Sequence, residues 1–169
     1  MNKILAKKIN QMAKIDQKMR KTVTKNGKWD FAKWDSSIDI ENTKLVKKIV
    51  IKYGWPTIQL VGKKASNNAW LLVQHADHDL KFQEKILGLL KKTYEKKPNS
   101  IKGANIAYLT DRVLLRKGKK QEFGTQWHGS KNSSILTLRP TINRRNLNYR
   151  RLKYDLAPIK KFIRKISSF

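Results

Sequence analysis

The residue types able to move a proton or hold a metal are concentrated in one short stretch. Two of the chain's three histidines and two of its twelve acids fall in Gln74-His75-Ala76-Asp77-His78-Asp79, directly after the most apolar run, Ala69-Trp70-Leu71-Leu72-Val73. Imidazole titrates near neutrality and serves as general acid or base, and a nearby carboxylate orients it. Imidazole and carboxylate are also metal ligands. Neighbouring positions on a helix point apart, so at most two or three of His75, Asp77, His78 and Asp79 converge. The i, i+4 pair of an HExxH helix is missing as well. No metal and no cofactor is expected.

A second chemical anomaly lies upstream. Leu5, Ile9, Met12, Ile15, Met19 and Val23 recur at three and four, which predicts a helix over 3–23. Asp16 sits about 40° from the centre of that stripe at 100° per residue. A carboxylate there needs a partner, and Arg20 at i+4 is the nearest. Two readings follow. Either the pair docks this helix, or Asp16, Gln17 and Arg20 form one wall of a polar pocket.

The elements that must position these groups are mainly helical. Asn26-Gly27 marks a turn in a connector packed by Trp29, Phe31 and Trp34. Ser36 or Ser37 caps a helix over about 38–53, which Gly54 and Trp55-Pro56 end. Thr57–Val61 is a short apolar run closed by Gly62. A helix over about 64–76 is apolar nearly all round and therefore central. Asp79 caps the next, about 80–96, stopped by Pro98-Asn99-Ser100. The helix over about 103–117 carries apolar residues on two faces, with Asp111 on one of them and Gly118 as its C′ residue. Gln121–Trp127 and Ser134–Arg139 then read as a hairpin around Gly129-Ser130-Lys131-Asn132. Asn143 caps a helix to about 154, and Pro158 opens a last one with Ile159, Phe162, Ile163 and Ile166 as its seam. The fold class is α+β: mostly helical, about six helices with one small β-hairpin, in a single domain of 169 residues.

Several blocks recur in a known order: Gly54-Trp55-Pro56-Thr57, Gln74-His75-Ala76-Asp77, Phe82-Gln83, Tyr108-Leu109-Thr110-Asp111-Arg112 and Phe123-Gly124-Thr125-Gln126, with Asp16-Gln17 and Arg20 upstream. Together they resemble a bacterial family of unknown function whose members carry GWPT, QHAD, YLTDR and YGTQ blocks. The match runs over about residues 15–127, and the tail beyond it matches more loosely. Phe123 stands where that family usually has tyrosine. The heavy basic load departs from the family, so what it implies belongs to this chain. The resemblance supplies motifs and no mechanism.

The polar residues of these blocks suggest one network. His75 would be general acid or base, with Asp77 or Asp111 orienting it. Arg20 or Arg112 would hold an anionic group such as phosphate. Gln74 and Gln126 would place substrate or water, and Asp16 and Gln17 would complete the binding wall. The competing reading is a satisfied core network that fixes helix packing. Trp127-His128-Gly129-Ser130 looks like the His-Gly-Ser strand of ADP-ribosyltransferases, but too little chain follows to build that fold. His128 is expected in an exposed turn. No glycine-rich phosphate loop and no GxSxG elbow occurs.

Charge gives the remaining signal. Net charge is +27 and there is no cysteine. Disulfides, thiolate metal sites and a cysteine nucleophile are thereby excluded. From Arg112 to Phe169 sixteen Lys and Arg face only Glu122 and Asp155, a net +14, against +13 over the first 111 residues. Such an excess suits a polyanion. Arg139, Arg144, Arg145, Arg150, Arg151, Lys153, Lys160, Lys161, Arg164 and Lys165 would form a basic helical stripe along a phosphate backbone, with Tyr149 and Tyr154 stacking on unpaired bases. The leading expectation is a cytoplasmic protein that binds nucleic acid, RNA or ribosome before duplex DNA. The alternatives are a hydrolase or transferase for a phosphate-bearing substrate, and a cationic surface-associated protein. No signal peptide and no membrane span is evident. The oligomeric state is left open.

Overall fold

The computed structural model describes residues 1–25, 28–129 and 136–161. The chain divides into two units, Met1–Ile101 and Lys102–Phe169. The fold is mostly helical with small antiparallel strand pairs, as the α+β expectation had it. Among the described residues, no helix is long and apolar enough to cross a membrane.

The first unit is built on α1 (Lys3–Thr22), α2 (Ser36–Tyr53), α3 (Ile58–Gln74) and α4 (Leu80–Lys96). Two-residue strands β1 (Thr24–Lys25) and β2 (Lys28–Trp29) pair between α1 and α2. The Asn26-Gly27 turn and the packing of Trp29 and Phe31 lie outside what is described. Helix α3 is the hub, with α1 laid along it and α2 and α4 also against it. Leu5, Ile9, Met12 and Met19 of α1 are buried, whereas Ile15 is 47% exposed. The angular reason is plain. Centred on the residues that are buried, the stripe passes about 20° from Asp16 and about 80° from Ile15. The acid, not the isoleucine, faces the core.

Asp35 caps α2, its Oδ1 accepting from the Ser37 amide at 2.9 Å, so the helix starts earlier than a serine cap would allow. Helix α3 absorbs the Thr57–Val61 run. Thr57 caps it, its Oγ1 accepting from the Leu60 amide at 3.2 Å, and Gly62 at φ +82° kinks it, a left-handed setting that suits glycine. It ends at Gln74, so His75 is the cap residue instead of a helical one. Asp79 caps α4 as expected, 3.0 Å from the Phe82 amide. Trp55 is buried as a packed corner.

The second unit holds α5 (Gly103–Arg116), β3 (Trp127–Gly129), β4 (Leu136–Leu138) and α6 (Leu147–Leu152). Helix α5 is enclosed on two faces, with Ile106, Ala107, Leu109, Thr110, Asp111 and Val113 all buried. Gly118 at φ +70° closes it. The hairpin is shorter than the alternation suggested, pairing Trp127 with Leu138 and His128 with Thr137. Residues 121–126 are a loop gathered around the Asp111 carboxylate, a tertiary demand that overrides local pattern. The region after Asn143 also differs. Asn143 takes φ +33° and makes no side-chain cap, Arg144–Asn146 is one 3-10 turn, and α6 has six residues. Arg144 and Arg145 therefore do not share a helix face with Arg150 and Arg151. A last helical turn begins at 159, and the Phe162, Ile163 and Ile166 seam lies outside the described residues, as does the Gly129–Asn132 loop beyond Gly129.

Candidate active site

Four side chains from three helices meet in the first unit. Asp16 and Arg20 lie one turn apart on α1, Asp39 is in the first turn of α2, and His75 caps the end of α3. Asp16 is fully buried, with the Arg20, His75 and Asp39 side chains 15%, 13% and 9% exposed. His75 Nδ1 stands 3.0 Å from both Asp16 oxygens. Gln17 Nε2 donates to Asp16 Oδ2 at 2.7 Å, and Arg20 Nη1 lies 3.2 Å from Oδ1. The other Arg20 nitrogen, Nη2, reaches Asp39 at 2.9 and 3.2 Å. Trp34 supports the guanidinium, 4.8 Å below its carbon.

The two carboxylates respond oppositely. Burial pushes the Asp16 carboxyl up, but the His75 hydrogen bond and charge, Gln17 and Arg20 together outweigh it and hold Asp16 below the usual carboxylate range. Burial also raises Asp39, and there Arg20 does not offset it, with Asp16 adding repulsion. An ionised Asp16 can only accept hydrogen bonds, so His75 carries its hydrogen on Nδ1. This contact leaves Nε2 over, and no hydrogen bond falls on it among the described residues. This is the orientation of a general base with its carboxylate behind it.

The turn that presents His75 is held by a residue that no chemical pattern singled out. Gln83, fully buried on α4, donates through Nε2 to the Val73 and Gln74 carbonyls at 3.1 and 3.2 Å and to Asp77 Oδ1 at 3.2 Å. Asp77 is thus tied to Gln83, and Asp16 is the acid on His75. Gln74 is half-buried, and its carbonyl is one of the Gln83 acceptors. Arg20 has each face on a carboxylate, which is a counter-ion's position rather than an anion grip. Asp16, Asp39 and His75 do offer donor atoms within 4.8 Å of one another. The Arg20 guanidinium already bridges the two carboxylates, so a cation there would have to displace it.

The chain belongs to a family of unknown function, DUF6624. That family's model matches residues 4–168. No curated protein and no solved structure matches the chain. The family assignment agrees with the expectation drawn from the motif blocks, and it spans both units.

In this DUF6624 chain the blocks of the second unit serve one another. Asp111 accepts from the amides of Glu122, Phe123 and Thr125 at 2.7–2.9 Å and from Thr125 Oγ1 at 2.8 Å. Burial still raises its carboxyl, the amides notwithstanding. The Tyr-Leu-Thr-Asp-Arg block therefore shapes the Phe-Gly-Thr-Gln loop. Gln126 Nε2 donates to Thr125 Oγ1 at 3.2 Å, and its amide donates to Gln121 Oε1 at 2.9 Å. Gly124 takes φ +63° where a Cβ would come 3.4 Å from Ile159. Arg112 is half-buried on α5.

The basic residues divide. Arg151 is fully buried, bound to the Phe123 and Ala157 carbonyls at 2.6 and 2.7 Å, and burial lowers its basicity. Arg150 reaches the carbonyls of Glu122, Ile142 and Asn143 at 2.7–3.1 Å. Both act as internal ties of the loop. Tyr154 packs edge-on to Phe123, 5.4 Å between centroids. Arg139, Arg144, Arg145, Lys153, Lys160 and Lys161 are exposed, as is Tyr149 at 81%. Arg164 and Lys165 lie outside the described residues. His128 is exposed in β3.

The missed acid was legible by the argument used for Asp16. Asp39, Asn42, Thr43, Val46 and Ile49 are the buried positions of α2, so Asp39 falls on an apolar helical stripe.

Proposed function

We propose that this protein is a hydrolase or transferase for a phosphate-bearing substrate, acting in the cytoplasm, with His75 as general base and Asp16 as the residue that positions it. One observation carries the reading: a fully buried, ionised Asp16 grips Nδ1 with both oxygens and leaves Nε2 unclaimed. The net charge of +27 favours an anionic substrate. In this reading Arg20 sets the charge of the site by joining Asp16 to Asp39, and Gln83 sets the His75 backbone.

The test is turnover on phosphomonoesters, phosphodiesters and nucleoside triphosphates by wild type, His75→Gln and Asp16→Asn. A general base contributes about 10²–10⁴-fold, so His75→Gln should lose that much kcat with its melting temperature nearly unchanged. Asp16→Asn should lower kcat with a smaller change in KM. Wild type inert on all three classes, or His75→Gln as active as wild type, refutes the proposal.

A second reading, binding of single-stranded RNA by the second unit, is favoured by Tyr149, exposed on α6 with Arg144, Arg145 and Lys153 exposed nearby in sequence.

A further inference from the structure

One groove of the first unit is basic, and one of its lining residues, Gln17, hydrogen-bonds Asp16 of the Asp16–His75 pair. It runs between α1 and the start of α3, has a volume of about 630 Å³, and includes Lys3, Lys7, Lys14, Lys64 and Gln17 in its lining but no acid among the described residues. That volume lies within the usual range for small-ligand sites. Its origin is legible in α1. Lys3, Lys7, Asn10, Lys14 and Gln17 repeat at four, three, four and three, so they share a face. Ala6 and Ala13 line its floor and project nothing past Cβ, which leaves the space open. Asn68 Nδ2 bonds Asn10 Oδ1 at 2.8 Å across the groove, and Asn10 keeps its own Nδ2 without a partner among the described residues. From Lys3 to Lys14 the helix rises about 16 Å.

We infer that this groove holds a small molecule bearing a chain of two or three phosphates, and that Gln17 is the contact that joins this ligand to the Asp16–His75 pair. The inference rests on the proposed function and names its substrate class. Three ammonium groups on the α1 wall, with Lys64 on the α3 side, supply the point charges that a phosphate chain needs. Gln17 lines the groove while its Nε2 donates one hydrogen to Asp16 at 2.7 Å, which leaves the second hydrogen of that NH2 group to donate to a phosphate oxygen, one side chain away from the carboxylate bound to His75 Nδ1. The apolar stems of the lysines and the two alanines leave room for a nucleoside beside the phosphates.

The experiment is equilibrium binding of a fluorescent nucleoside triphosphate analogue to the full chain, without turnover. Lys7→Glu with Lys14→Glu should raise Kd at least tenfold. Lys81→Glu with Lys85→Glu, the same charge change on α4, should change it less than threefold. Unlabelled tripolyphosphate should displace the probe, and a nucleoside triphosphate that displaces it at lower concentration marks a nucleotide as the source. Absence of probe binding, an equal loss from both charge reversals, or failure of tripolyphosphate to compete overturns the inference. If the groove variants lose the probe while His75→Gln keeps full turnover, the groove stands and the general-base reading falls. If the groove variants bind normally while His75→Gln is inactive, the reverse holds.

Discussion

Replacing Arg20 by alanine isolates the electrostatics of the site from its chemistry. Arg20 is the cation shared by Asp16 and Asp39, at 3.2 and 2.9 Å. Without it Asp16 keeps His75 and Gln17, but the Asp39 carboxylate keeps no donor among the described residues. An unpaired carboxylate this buried either stays ionised at high cost or takes up a proton. Protonation bounds the loss. Starting from an ordinary value near 3.9, holding a carboxyl neutral at pH 7 costs about 4 kcal/mol. Arg20→Ala should therefore destabilise by about 3–4 kcal/mol at pH 7, in line with breaking a buried pair. Loss of the Trp34 contact adds about 0.5–1 kcal/mol. The sign with pH follows from Asp39. Its carboxyl is already raised in the folded protein, and the substitution raises it further. A folded value above the unfolded one contributes stability at low pH that is lost as pH rises. The deficit of Arg20→Ala should accordingly shrink from pH 7 to pH 5, by at most about 1.4 kcal/mol per unit. Asp16, held below its ordinary range, contributes in the opposite sense, and only as pH falls through its own folded value. Urea unfolding at pH 5, 6 and 7 measures this against wild type. Adding Asp39→Asn should recover about half the pH 7 loss, since no buried charge then lacks a partner. A deficit under about 1 kcal/mol at pH 7, or one that does not change with pH, would refute the reasoning.

Two further outcomes test the second unit. Asp111→Ala leaves three amides and the Thr125 hydroxyl without their acceptor, at about 3–5 kcal/mol in total, which calorimetry should register as a melting temperature about 8–15 °C lower; a fall of only a degree or two would mean that another group holds the 121–126 loop. For the RNA reading, retention on heparin and affinity for single-stranded RNA should fall steeply with salt, and Arg144→Gln with Arg145→Gln should reduce the log–log salt slope by about 1.4. A flat salt response in wild type ends that reading.

The sequence by itself determined most of the helices and their caps. Apolar spacing placed α1, α2, α4 and α5 to within a residue or two, and Asp79 and Gly118 bounded their helices as read. These are local matters of side-chain period and of backbone donors near a chain end. It also flagged Asp16 and His75 as out of place, one by an angle and one by its apolar surroundings. It did not pair them, because their 59 positions of separation carry no local signal. Only the packing of α1 and α2 on α3 brought Asp16 to His75 and added Asp39. Only burial showed that Arg151 is a core tie and not a phosphate contact, since an arginine reads as solvent-facing until carbonyls surround it. The hexapeptide Gln74–Asp79 supplied one member of the candidate site. Its partners were decided by tertiary structure, since a buried charge is defined by what meets it in space.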